Sequence, residues 1–130
     1  MILRALRSIA AVLAGYLVFA VSAYLLFVLF DQPPHEAAPF WFMVTAAVIG
    51  MFFAFIGGYV AAYLAGRYPR AHGIAVAGVL ALGAAVSLVA TLGKGAIWSQ
   101  VAALVLMAPS AVLGGWIRER QLTPPDSAAL

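Results

Sequence analysis

The sequence predicts an all-α polytopic membrane protein, with four antiparallel transmembrane helices arranged as two hairpins, and three observations lead there. Of 130 residues, 66% are hydrophobic and 8% are charged, against roughly 25% charged residues in a soluble domain. So few ionisable groups leave too little polar surface to coat a globule in water. Residues 8–30, 37–66, 71–93 and 95–117 contain no Asp, Glu, Lys or Arg, and each run reaches the roughly 20 apolar residues that a bilayer-crossing helix needs. Backbone groups in hydrocarbon find no water, so each run has to close its hydrogen bonds within itself, as a helix. Finally, Arg4, Arg7, Arg67, Arg70, Arg118 and Arg120 gather at one set of helix ends and Lys94 at the other. Cytoplasmic loops collect Lys and Arg, so both termini and the 67–72 loop are expected in the cytoplasm.

The first helix is expected over about residues 6–30, closing at Asp31. MILRALR before an apolar run has the form of a signal peptide, with Val21-Ser22-Ala23 as a cleavage site. A signal core spans about 7–15 residues, whereas this run continues through YLLFVLF, so a retained helix is expected. The loop DQPPHEAAP follows, and Pro39 suits the first turn of helix two. Helix two, about 39–66, is some 42 Å long at about 1.5 Å per residue and exceeds a hydrocarbon core of about 30 Å, so it is expected to tilt or project. The short turn RYPRAH makes helices two and three antiparallel neighbours. Helix three is expected over about 72–92, capped by Gly93, and helix four over about 97–118 after the turn GKGAIWSQ. Residues 1–120 thus form the transmembrane domain, and the polar tail 121–130, QLTPPDSAAL, is expected to be disordered. Trp41 and Trp98 at one boundary, Tyr68 and Trp116 at the other, fit an aromatic belt.

Helix two carries a ladder of small residues at every fourth position: Ala46, Gly50, Ala54, Gly58, Ala62 and Gly66. Residues four apart share a face, and Gly57, Ala61 and Ala65 widen it. Acyl tails are as apolar as leucine, so helices in lipid associate through close backbone approach, which small residues permit. Glycine inside a helix costs about 1 kcal/mol against alanine, so Gly50, Gly57 and Gly58 are expected to serve packing, within the chain in preference to a dimer seam. Helix three offers Gly73, Ala77, Ala81 and Ala85 as a partner row; helix four offers Ser110 with Gly114 and Ala111 with Gly115. Ile56-Gly57-Gly58-Tyr59-Val60 and Leu113-Gly114-Gly115-Trp116-Ile117 hint at a parallel duplication, but for so short a match chance similarity is the preferred reading. Pro109 is expected to kink helix four, with Ser110 satisfying a freed carbonyl.

No ionisable residue falls at bilayer depth, where such groups mark pathways and relays. The polar groups noted there are hydroxyls, among them Tyr16, Ser22, Ser87 and Ser110, most of which can bond their own helix. A proton-coupled carrier needs a titratable group in the membrane; small multidrug exporters embed a glutamate in their first helix, and this first helix has no acid. Fluoride channels match in size, but this chain contains no asparagine. His35 and Glu36, with Asp31 near, are a poor metal site on a loop, and no cofactor is indicated. His72 is expected at an interface. The absence of cysteine removes thiol catalysis and Cys-ligated metals, Ser110 has no base beside it, and no catalytic residue is expected. The basic balance is topological, which argues against a nucleic-acid partner.

At GGYVAAYLAGRYPRAHG the chain resembles small, largely uncharacterised bacterial four-helix membrane proteins. These carry a GGY-x-A-A segment, an arginine-containing inner turn with a histidine, and a later Gly-Gly-aromatic before terminal arginines. The resemblance implies a bacterial inner-membrane location and brings no catalytic residue with it. The expectation is a non-enzymatic integral membrane protein, an assembly component that associates with the lipid bilayer and with itself or another membrane protein. The alternative is a small oligomeric transporter or channel whose path is lined by hydroxyls and opens near Pro109.

Overall fold

The computed structural model describes residues 1–123 and is all-helical there. Four helices are long and apolar enough to cross a bilayer: α1, Ile2–Leu29; α2, Phe40–Ala65; α3, Pro69–Ala90; and α4, Trp98–Leu122. Together they make the four-helix polytopic fold. α1 begins earlier than the charge pattern suggested, because Arg4 and Arg7 are good helix formers and no Gly or Pro interrupts them. It ends where Asp31 adopts a left-handed conformation (φ 49°).

Prolines and glycines then set the boundaries. The carbonyl of Pro39 accepts the first amides of α2, from Phe42 and Met43, at 3.0 and 3.1 Å. α2 stops at Gly66, whose φ of 72° is left-handed and whose N–H returns to Ala62 O. Tyr68, also left-handed at φ 45°, completes the reversal, and Pro69 occupies the first turn of α3. α3 therefore starts before His72. At its other end Thr91, rather than Gly93, closes the helix: both its N–H and its hydroxyl donate to Ser87 O, at 3.0 and 2.8 Å.

α4 is not uniform. It runs as α-helix over Trp98–Ala102, widens to a π turn over Ala103–Met107, and returns to α-helix over Ala108–Leu122. Pro109 explains the widening: it has no N–H to offer Val105 O, so the ladder loses a bond there. Instead Ala108 N–H reaches back five residues to Ala103 O, and Ser110 Oγ donates to Leu106 O at 2.8 Å. The far end of α4 corrects the expected start of the tail. Gln121 and Leu122 are helical, carried by the helix-favouring run Arg118-Glu119-Arg120-Gln121, and Thr123 turns extended as a residue before proline does. The disorder expected over 124–130 lies outside the described residues.

α2 and α3 form the centre of the bundle. α1 lies along α2 and touches α3; α4 lies against both on the other side; α1 and α4 have no Cα pair within 8 Å. The helices close together near the end that carries the N-terminus and the 66–68 turn, hereafter the turn end. There α1 meets α2 at Gly15 and Gly57, each with the carbonyl oxygen of the other where a Cβ would be. α2 meets α4 at Gly58 against Ala111 O, and at Gly114 against Phe55 O. α3 meets α4 at Gly73 and Gly115, where a Cβ on Gly73 would lie 2.8 Å from Gly115 Cα. At Gly15 and Gly57 the hydrogen in the Cβ direction faces a carbonyl oxygen, a Cα–H···O contact worth about 0.5–1 kcal/mol.

At the opposite, loop end the packing is aromatic. Phe42, 1% exposed, is surrounded by Phe27, Phe30, Trp41 and Trp98 with ring centroids 5.6 to 5.9 Å away. Edge-to-face pairs of this kind add about 0.5–1.5 kcal/mol each beyond burial.

A candidate ligand cavity under a buried glutamine

Glycine brings the helices together at the turn end, and α1 and α4 stay apart above it. Between them, over the α2–α3 pair, is a cavity of about 190 Å³. α1 contributes Tyr16, Phe19, Ser22 and Leu26, α2 contributes Ala46 and Gly50, α3 contributes Leu80, Ala84 and Ser87, and α4 contributes Trp98, Gln100, Ala103 and Met107. Ala103 and Met107 bound the π turn, so the irregular segment of α4 forms one wall. Such turns occur often at functional sites.

The walls are apolar and the roof is polar. Gln100 is 4% exposed, and an amide so placed has to be satisfied within the protein. Its Nε2 lies 2.9 Å from His35 Nδ1, 3.2 Å from Ser87 Oγ and 3.3 Å from Thr91 Oγ1. The amide has two hydrogens for these acceptors. Ser99 Oγ lies 3.1 Å from Gln100 Oε1, to which it can donate. Ser87 Oγ accepts from the amide and keeps its own O–H, while Gln100 Oε1 retains a lone pair. Ser87 and Gln100 both line the cavity, so a molecule lodged there has a donor and an acceptor within its walls. His35 and Ser99 line the cavity beside Gln100 and Ser87, so its polar groups are gathered at the loop end.

The loop between α1 and α2 covers the loop end. Ala96 N–H donates to His35 O at 2.8 Å, Ser99 Oγ lies 3.2 Å from Pro34 O, and Trp98 Nε1 donates to Glu36 O at 3.3 Å. Gly95 permits this approach, because a side chain there would run into His35 O. His35 is therefore engaged with Gln100, and among the described residues no three His, Cys, Asp or Glu side chains converge.

The residues singled out in the sequence have several different placements. Ala46, Gly50, Ala54, Gly57, Gly58 and Ala62 are buried inside the chain, and Gly114 and Gly115 face α2 and α3. Gly50 lies under the Met107 thioether, with the sulfur 2.9 Å from where a Cβ would be, so it makes room for one cavity wall. Gly66 is not a rung of the ladder; it is exposed and caps the helix in a left-handed conformation. Pro109 is itself exposed and acts through the π turn before it. His72 is buried, its Nδ1 2.9 Å from Tyr68 O and hence the donor. Gln100 and Gly15 were not anticipated. In the sequence Gln100 reads as part of the turn GKGAIWSQ, and the pair Ala11–Gly15, four apart, is the one trace of the α1 seam. No family model, curated protein or solved structure matches the chain.

Proposed function

We propose that this is a non-enzymatic integral membrane protein that holds a small, mostly apolar molecule with one hydrogen-bonding group between its helices. The observation that carries the proposal is the buried Gln100 amide set over a mostly apolar cavity, the usual form of a ligand site. Its volume is close to the about 150 Å³ of an apolar cavity known to take benzene, so a single ring with a hydroxyl is the right size. The small-residue ladder of α2 serves as the packing seam that leaves this space open. Because those residues are spent within the chain, assembly with a second copy or another membrane protein would use the outer faces. The arginine distribution and the GGY-x-A-A resemblance support a bacterial inner membrane, with both termini in the cytoplasm.

Phenol and benzene serve as probes. In lipid nanodiscs, phenol is expected to shift the Met107 methyl resonance at a concentration about fivefold lower than benzene, the worth of one net hydrogen bond. Ala84→Leu, which fills the space, is expected to abolish both shifts. Equal titration of wild type and Ala84→Leu would remove the cavity from consideration.

A second reading, a small transporter or channel, is favoured by one observation: the π turn before Pro109 lines the same cavity. Solute flux into liposomes that is lost in Pro109→Ala or Gly114→Leu would support it. Absence of flux across a broad solute panel would leave the protein a binder only.

A further inference from the structure

Six arginines lie at the turn end, Arg4, Arg7, Arg67, Arg70, Arg118 and Arg120, and they divide into two groups of three. Arg70 pairs with Glu119 at 2.8 Å, the one ion pair among the described residues. Arg118 lies over the Tyr63 ring at 4.7 Å and Arg120 over Trp116 at 5.1 Å. Arg4, Arg7 and Arg67 instead line a single pocket of about 420 Å³ with Ala65, Gly66 and Tyr68, and no described carboxylate lines it.

The pocket is built, not merely charged. Arg7 Nε donates to Leu64 O in the last turn of α2 at 2.7 Å, which fixes the guanidinium plane and leaves its terminal N–H groups free to turn toward the pocket. Gly66 makes this possible: a Cβ there would lie 2.9 Å from Arg7 Nη2. Arg4 is three residues before Arg7 on the same helix face, and Arg67 follows Gly66 with its guanidinium 5.7 Å from the Tyr68 ring. Three cations without a counter-charge repel one another, and an anion among them relieves that. The planar guanidinium fork matches phosphate oxygens.

We propose that Arg4, Arg7 and Arg67 bind the phosphate of an anionic phospholipid. A lipid is favoured over a soluble anion because the pocket lies at the ends of bilayer-crossing helices, beside exposed apolar side chains. Leu3 is 81% exposed, Leu6 56% and Leu64 43%, placed to receive the upper part of acyl chains. A zwitterionic headgroup would bring its own cation against the three arginines, so the net negative class is selected. Basic pockets between membrane helices hold such headgroups elsewhere.

The test uses purified full-length protein in nanodiscs of mixed phosphatidylglycerol and phosphatidylcholine, with native mass spectrometry counting the lipid retained on release. Wild type is expected to retain phosphatidylglycerol in excess of its share. Arg67→Gln and Arg4→Gln are each expected to lower that excess about fivefold, one arginine being worth about that factor at a membrane surface. Arg120→Gln, outside the pocket, is expected to leave it within twofold. Circular dichroism checks that each variant keeps its helices, and both pocket positions are exposed, so folding is not at risk. Equal losses in all three variants would reduce the effect to overall charge and overturn the proposal, as would no excess in wild type. Excess inorganic phosphate that displaces the lipid more strongly than chloride at equal ionic strength would reassign the pocket to a soluble anion, which also overturns it.

Discussion

Single residues decide more here by what they lack than by what they carry. Gly66 lacks a Cβ at a φ of 72°, where an L side chain costs about 1–2 kcal/mol, and it lets Arg7 lie across the end of α2. Gly66→Ala is expected to lower stability by about that amount, read as the midpoint of thermal unfolding in mild detergent. An unchanged midpoint would mean that the turn relaxes at no cost. Gln100 is the opposite case, a group whose presence has to be satisfied. Gln100→Leu is expected to destabilise by about 1–3 kcal/mol, the usual cost of breaking a buried polar network, and to speed proteolysis in the 31–39 loop, since the His35 side chain loses its partner. Neither residue was fully legible. The i+4 spacing placed Gly66 on the ladder, because spacing alone carries no φ. Gln100 follows Trp98 and Ser99 in a stretch that reads as a turn, and only the approach of Ser87, Thr91 and His35 from other elements gives it a role.

The helices themselves were nearly all visible beforehand, since uninterrupted apolar runs bounded by charges and prolines leave the backbone little choice. What the pattern could not supply was which glycine meets which neighbour. Gly58 faces Ala111, and Gly114 faces Phe55 and Tyr59, so the two Gly-Gly-aromatic segments pack on one another. Gly58→Leu is expected to separate α2 from α4 and to cost several kcal/mol, in the range for overpacked cores; a thermal midpoint equal to wild type would count against this seam. The π turn of α4 follows from Pro109, whose mid-helix position predicts a kink. Pro109→Ala restores an N–H for Val105 O, and the turn over Ala103–Met107 is expected to rewind as α-helix. That shifts Met107 around the axis, so its methyl resonance moves even without ligand.

For the molecule as a whole, the apolar outer face follows directly from composition. α1 shows Ile9, Leu13, Leu17, Val21 and Leu25 outward, each about half exposed, and water is no solvent for such a stripe. A monodisperse particle in buffer without amphiphile would contradict the membrane assignment, and a reporter fused to the C-terminus that appears in the periplasm would contradict the proposed orientation. The cavity, in contrast, was not legible at all, because it results from α1 and α4 failing to meet, and a sequence does not record a missing contact.

The two ends of this bundle are fastened by different means. Glycine seams at one end hold backbone against backbone with little slack, whereas edge-to-face rings and a pinned loop at the other have room to slide by fractions of an ångström without breaking. Stretching or squeezing the surrounding lipid, by lengthening or shortening its chains, strains helices of unequal length. That strain has to be absorbed where the fastening yields. The volume beneath Gln100 is therefore expected to vary with acyl-chain length, and the distance between Gly73 and Gly115 to stay fixed.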